Sequence, residues 1–293
     1  MKTCISTYSY WRMYANHGWT LFDAIDKTKE LGAEGVEFVL DDNPPEGLSL
    51  SEYAIKLTEY AHAKGLETPI YTTGADFLNP DIRGEIERVK KHVDAASAAG
   101  IKLMRHDITF GFPESYKGIR TFEAILPIIA PAIREVAEYA QSKGVTTCSE
   151  NHGRLVQDSF KLNALFTAVN HPNYKYLCDI GNFDDADEGC AVAVSKLLPF
   201  IVHVHAKDSF YRMGMGLNPG YGWYRSKSGC YKRATIYGQG DDPTSQCLSI
   251  IYNSGYRGFV SLEFEGIEDT LIAIEAGHNN LKRDIELIKK GIV

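Results

Sequence analysis

One phrase recurs along the chain: apolar residues at helical spacing, then a glycine, then a short apolar run rich in β-branched or aromatic residues. It reads KTKELGAEGVEFVL, EYAHAKGLETPIYT, DAASAAGIKLMRHD, EYAQSKGVTTCSE and IYNSGYRGFVSLEFE. Gly32, Gly65, Gly100, Gly144 and Gly255 stand where a helix needs a left-handed residue just past its end. The runs after them have the composition of buried strands. The pattern predicts strands near 3–8, 34–40, 66–72, 102–106, 145–150, 174–180, 200–206 and 258–264. It predicts helices near 19–31, 50–64, 81–99, 120–143, 159–170, 188–198, 243–254 and 268–290. Strands alternating with helices imply a parallel sheet. Eight such units within 293 residues imply closure into a (β/α)8 barrel, an α/β fold of the TIM-barrel type. An open doubly wound sheet would carry a glycine-rich phosphate turn after its first strand, and YSYWRMYANHGW has no GxGxxG. No linker or break in composition interrupts residues 1–293, so one domain is expected. One connection is long. Residues 207–242 are dense in Gly, Tyr, Arg and Lys without a helical period, and predict a structureless lid or substrate wall. Tyr221, Trp223 and Tyr224 would form its aromatic core, with Arg225, Lys232 or Arg233 supplying positive charge.

Four of the apolar runs, VTTCSE, YKYLCD, FIVHVH and GFVSLE, stop on Glu150, Asp179, His205 and Glu263. In a parallel barrel all four ends lie on one face and converge. Two carboxylates about 4 Å apart at an effective dielectric near 20 repel by about 4 kcal/mol. Three carboxylates and a neutral imidazole must therefore take up protons or bind a cation. These four residues are the expected ligands of one divalent metal. Three oxygens and one nitrogen favour Mn²⁺, with Mg²⁺, Co²⁺ or Zn²⁺ as alternatives. Two positions left for oxygens suit a hydroxy-ketone, and a Lewis acid there would stabilise the enediolate left when a C–H is lost. Glu150 and Glu263 flank the site and are the expected acid/base pair. Residues i and i+2 share a strand face, which aligns Cys148 with Glu150, His203 with His205, and Ser261 with Glu263 and Glu265. His152, His203, Lys207 and Asp208 are placed near substrate, Lys207 to neutralise enediolate charge or bind a phosphate. Glu37 and His106, ending strands 2 and 4, are further candidate contacts, as are Trp223 and Arg233 from the long connection.

The composition sets limits. With 31 basic and 38 acidic residues the net charge is −7, which argues against a phosphate-backbone footprint and hence against nucleic acid. Six cysteines form no CxxC pair and read as reduced, buried thiols. The N-terminus lacks a signal-type apolar region, and no run approaches the ~20 apolar residues of a membrane span. A cytoplasmic protein away from membranes is expected, acting on a small carbohydrate; a homodimer or homotetramer is compatible with the sequence.

In order and spacing, GAEGVEF, SENHG, CDIGNF, HVHAKD, YGQGD and GYRGFVSLEFEG resemble the xylose isomerase-like TIM-barrel superfamily of sugar phosphate isomerases and epimerases. The resemblance spans nearly the whole chain. It implies a metal held by Glu150, Asp179, His205 and Glu263, with the two glutamates transferring protons as in ketose 3-epimerases. Those epimerases resemble D-x-x-H where this chain has Asp179-Ile-Gly-Asn182, which makes Asn182 a substrate-contact candidate in place of a histidine. The His203–Asp208 stretch is similar to the H-x-H-x-K-D of inosose dehydratases. Lyases acting on 3-keto sugars and C-glycosides, some with a small partner subunit, share the barrel. The expected function is therefore a metal-dependent sugar isomerase or epimerase. A dehydratase or a C–C or C–O lyase is the alternative, and a non-catalytic sugar-binding subunit comes third.

Overall fold

Eight short runs pair edge to edge and close a ring. The computed structural model describes residues 1–214 and 216–293. In chain order the strands are β1 (Lys2–Ser6), β2 (Gly35–Val39), β3 (Tyr71–Thr73), β4 (Leu103–His106), β5 (Thr146–Glu150), β6 (Tyr174–Asp179), β7 (Ile201–Ala206), β8 (Asp208–Arg212), β9 (Tyr224–Arg225), β10 (Tyr231–Thr235) and β11 (Phe259–Leu262). The closed barrel runs β1-β11-β7-β6-β5-β4-β3-β2, with every pairing parallel. The helices are α1 (Trp11–His17), α2 (Leu21–Glu30), α3 (Leu50–Ala63), α4 (Ile82–Ala98), α5 (Phe122–Ser142), α6 (Ser159–Val169), α7 (Cys190–Leu197), α8 (Thr244–Asn253) and α9 (Thr270–Lys289). The TIM-barrel fold read from the sequence is the fold of the chain.

Several helices start on side-chain caps. Ser49, Asp81, Thr121 and Asp158 each accept a backbone N–H from the first turn of α3, α4, α5 and α6. Their apolar stripes pack on the outer faces of the strands and form the large core. A small separate cluster, Ile70, Cys148 and Leu177, has Leu103 and Val202 packed against it. No helix among the described residues is long and apolar enough to cross a membrane.

Two expectations change. β3 is only Tyr71–Thr73, although the apolar run begins at 66. Pro69 has no N–H to give a ladder, and Glu67 keeps a single bridge to Gly35. The long connection is not structureless. β8, β10 and β9 form a three-stranded antiparallel sheet within it. The side chains of DSFYR and YKRAT alternate across this panel.

Asp208 clamps the panel's two ends. Its Oδ1 accepts from Ser209 N (2.9 Å) and Asp242 N (3.2 Å), and its Oδ2 from Gly238 N and Gly240 N (both 2.9 Å). Gly240 is required here, since a Cβ would lie 2.2 Å from Asp208 Oδ1. Asp208→Ala strands four donors and is expected to destabilise the panel locally by about 1–3 kcal/mol. Hydrogen exchange at these amides should speed up while the barrel strands keep their protection. Unchanged exchange would mean that Asp208 is not the clamp.

Candidate metal centre and active site

Strand alternation and register bring the four expected ligands together. Asp179 on β6 stands opposite His205 on β7, and Glu150 on β5 opposite Leu177 on β6. Glu263 follows β11, its N–H donating to the Ala206 carbonyl at 3.1 Å. Ligand atoms from Glu150, Asp179, His205 and Glu263 all lie within 4.8 Å of one another, and all four residues are buried. This is the carboxyl end of the barrel strands, where TIM-barrel active sites lie.

Each of these four side chains is held by a second residue. His205 Nε2 lies 2.9 Å from both oxygens of Glu37, which turns Nδ1 toward the cluster, 3.6 Å from Glu263 Oε1 and 3.8 Å from Asp179 Oδ2. Glu37 is fully buried and also engages Ser6 Oγ (3.3 Å), Thr72 Oγ1 (3.1 Å) and His203 Nε2 (3.3 Å). Burial opposes its charge, but His205 and His203 outweigh it and hold the carboxyl well below the usual range. Glu150 pairs with Arg105 (2.6 Å) and accepts from Asn182 Nδ2 (2.8 Å). Asp179 accepts the Asn182 N–H at 3.1 Å. Lys207 Nζ lies 2.9 Å from Asp179, 3.0 Å from Glu263 and 3.2 Å from Glu265.

The cluster is crowded with acidic groups. Five buried acidic side chains, Glu37, Asp107, Glu150, Asp179 and Glu263, face buried Arg105, Lys207 and His205, with His152 at the rim. Burial raises the Asp179 carboxyl; Lys207 pulls it back only partly while Glu150 and Glu263 push further, to about 8. His205 Nδ1 and Asp179 Oδ2 lack a hydrogen bond of good geometry among the described residues, the ion pair to Lys207 apart. An orphaned imidazole nitrogen and an orphaned carboxylate oxygen, within a group of three carboxyls and one imidazole at ligand spacing, fit one divalent cation.

An inner cavity of about 200 Å³ opens onto the cluster past Tyr8, Arg105 and Asp107. It shares His152, Lys207 and Glu265 with an outer cavity of about 580 Å³, walled by Asn182, Arg154 and, from the panel, Tyr221, Gly222 and Tyr224. His152 Nδ1 lies 2.9 Å from Asp107 Oδ1. Burial works against protonation of this ring, but the Asp107 carboxylate prevails and pushes it up to about 9. Gly153 (φ 80) fixes the turn after His152; a Cβ there would meet the Thr109 carbonyl at 2.8 Å.

Other sequence candidates stand elsewhere. His106 packs outside the barrel wall, stacked on Tyr174 and edge-on to Phe77, because Arg105 takes the inward position on β4. Burial lowers its pKa to about 4. Glu37 and His203, the latter 2.7 Å from Ser261 Oγ, lie beneath the ligands rather than on the cavity wall. Asp208 is spent on the panel clamp. Trp223 and Arg233 face a separate cavity, where Arg233 sits over Phe210 (5.0 Å) and Trp223 (5.6 Å). Lys232 is buried and donates to the Gly181 carbonyl. Arg105, Asp107, Tyr8 and Glu265 join the site without having been singled out as site residues in the sequence. Arg105 and Asp107 share one face of RHD by the i, i+2 rule, and that was the available signal.

Residues 25–291 match the sequence profile described as xylose isomerase-like TIM barrel. Over 173 residues the chain is 30% identical to the uncharacterized protein YihM of Escherichia coli K12, covering 59% of this chain and 48% of that protein. The chain thus spans about half the length of that curated relative. The D-psicose 3-epimerase of Clostridium cellulolyticum H10, solved with D-tagatose, superposes with a TM-score of 0.72 at 18% identity, over 98% of this chain and 99% of that one. The probable 3-DHS dehydratase AsbF of Bacillus anthracis gives 0.72 at 17% identity, over 96% and 99%. At these identities the likeness concerns the fold.

Proposed function

Because the chain belongs to the xylose isomerase-like TIM barrel family, we propose that it is a divalent-metal-dependent isomerase or epimerase of a keto-sugar or related polyol. The observation that carries this reading is the pair of buried glutamates, Glu150 and Glu263, on the wall of an inner cavity and within ligand distance of Asp179 and His205. Glu150, Asp179, His205 and Glu263 would hold it, and the ion would supply Lewis acidity toward a substrate carbonyl.

The chain's own groups do the proton work. Burial opposes ionisation of Glu263, but Lys207 and His205 keep it ionised and ready to accept a proton from the carbon beside a carbonyl. Glu150, anchored by Arg105 and Asn182, returns a proton from the opposite side. Lys207 places an ammonium beside the oxygen where negative charge grows. Tyr224 on the panel, with Tyr221 in the turn that precedes it, restricts water at the mouth, which preserves an enediolate.

A second reading rests on His152. A protonated imidazole on the cavity wall, backed by Asp107, is placed to protonate a departing hydroxyl or aglycone oxygen, which a dehydratase or lyase needs.

Incubation with Mn²⁺ and a panel of keto-sugars and inososes in D₂O separates these. An isomerase or epimerase places deuterium at the carbon next to the carbonyl without loss of water, read by NMR. Release of water or an aglycone identifies the second reading. Sugars that bind with neither outcome would make the chain a non-catalytic binding subunit.

A further inference from the structure

Beside the inner cavity lies a groove of about 790 Å³ between the β2–α3 and β3–α4 connections and the start of α2. Val39 and Gly74 line both, so the two spaces adjoin at these residues. The inner cavity, at about 200 Å³, is smaller than the roughly 300–1,000 Å³ of sites that hold drug-sized ligands. It suits one sugar ring and leaves no room for a substituent of similar size.

The groove has two unlike walls. Tyr14, Trp19, Tyr53 and Phe110 offer aromatic surface, and Phe110 is 64% exposed at the junction of the groove and the outer cavity. Asp41, Asn43 and Asn79 offer exposed polar groups on the other side. A pyranose has the matching character, with apolar C–H faces and a rim of hydroxyls. The charge is one-sided: Asp41, Asp42, Asp76 and Glu85 against Arg88 alone, an excess of three negative charges. A phosphate or carboxylate would be repelled there.

Gly74 forms the threshold. Its φ is not positive, so its conformation does not demand glycine. A Cβ would stand 3.4 Å from Phe110 Cζ and 3.8 Å from Asp107 Oδ2, in the passage itself. A larger side chain would fill that passage.

We propose that the substrate is a neutral glycoside of a keto-sugar: its reacting ring, which carries the carbonyl, occupies the inner cavity and a second, uncharged polyhydroxylated ring lies in the aromatic groove, reached over Gly74. This deepens the carbohydrate reading of the same site and rests on it.

The test is calorimetric binding to the Mn²⁺-loaded full chain. The probes are methyl β-D-glucopyranoside, the disaccharides cellobiose, maltose and trehalose, and cellobiuronic acid. At least one disaccharide should bind tenfold or more tightly than the methyl glycoside, and the carboxylate of the uronic acid should cancel any gain for cellobiose. Trp19→Ala and Gly74→Val should each bring the ratio of disaccharide to methyl glycoside affinity close to one. Metal content at the wild-type level certifies the fold of both variants. A methyl glycoside that binds as well as every disaccharide overturns the proposal alone, as does a ratio that survives both substitutions. If no sugar of either size binds the metal-loaded chain, the carbohydrate reading falls with it.

Discussion

Glu263→Gln is expected to lower turnover by roughly 10²–10⁴-fold, the range lost with a general base. The amide keeps an oxygen for a cation and the shape that packs beside Lys207, 3.0 Å away. It cannot accept a proton. Metal content and KM should therefore stay near wild type while kcat collapses, because the missing interaction belongs to the transition state alone. Exchange of substrate C–H for solvent deuterium, followed on whichever keto-sugar the chain accepts, measures the step directly. A loss below tenfold would move the base to another residue, with Glu150 first in line.

His205→Ala should abolish metal binding at micromolar metal. The imidazole is the cluster's one nitrogen donor, and its loss should exceed the roughly 10–100-fold that removal of an outer partner costs. Glu37→Gln tests that outer layer: His205 stays, but its hydrogen-bond acceptor is weakened, so affinity should fall within the 10–100-fold range. The pH dependence has a definite sign. In the metal-free protein Asp179 holds its proton up to about pH 8. Burial disfavours a second proton on His205, yet Glu37 and Glu263 overcome it and raise that pKa well above the ordinary value. Loading displaces these protons, so affinity should rise with pH through neutrality toward about 8. Calorimetry in buffers of different ionisation enthalpy counts the protons released. Full occupancy in His205→Ala by elemental analysis, or affinity flat with pH, would dismiss the assignment.

How much could be read in advance depended on which physics decided each feature. The barrel was legible because helix ends need left-handed glycines and buried strands need apolar runs, both local properties. The positions of Glu150, Asp179, His205 and Glu263 at strand ends were legible for the same reason. Which neighbour reaches the cavity was not. On the four-residue β4, either Arg105 or His106 can point inward, and the choice is set by register against β3 and β5, which is a long-range fact. The panel was missed because its alternation hides among glycines, and because Lys232, charged yet buried, reads as a surface residue until the Gly181 carbonyl is placed beside it. Asp208 was expected near substrate, and only the fold brings the amides of Gly238, Gly240 and Asp242 back to it.

Asp208 and Lys207 are neighbours, one peptide apart, with opposite duties. The first is bolted to both ends of the panel; the second carries its ammonium into the midst of Asp179, Glu263 and Glu265. A displacement of the panel therefore pulls, through a single trans peptide of fixed length, on the charge at the centre. The wall of the mouth and the counter-ion share one hinge pin: the anchor that seats the panel also fixes the backbone from which the ammonium beside Glu263 hangs.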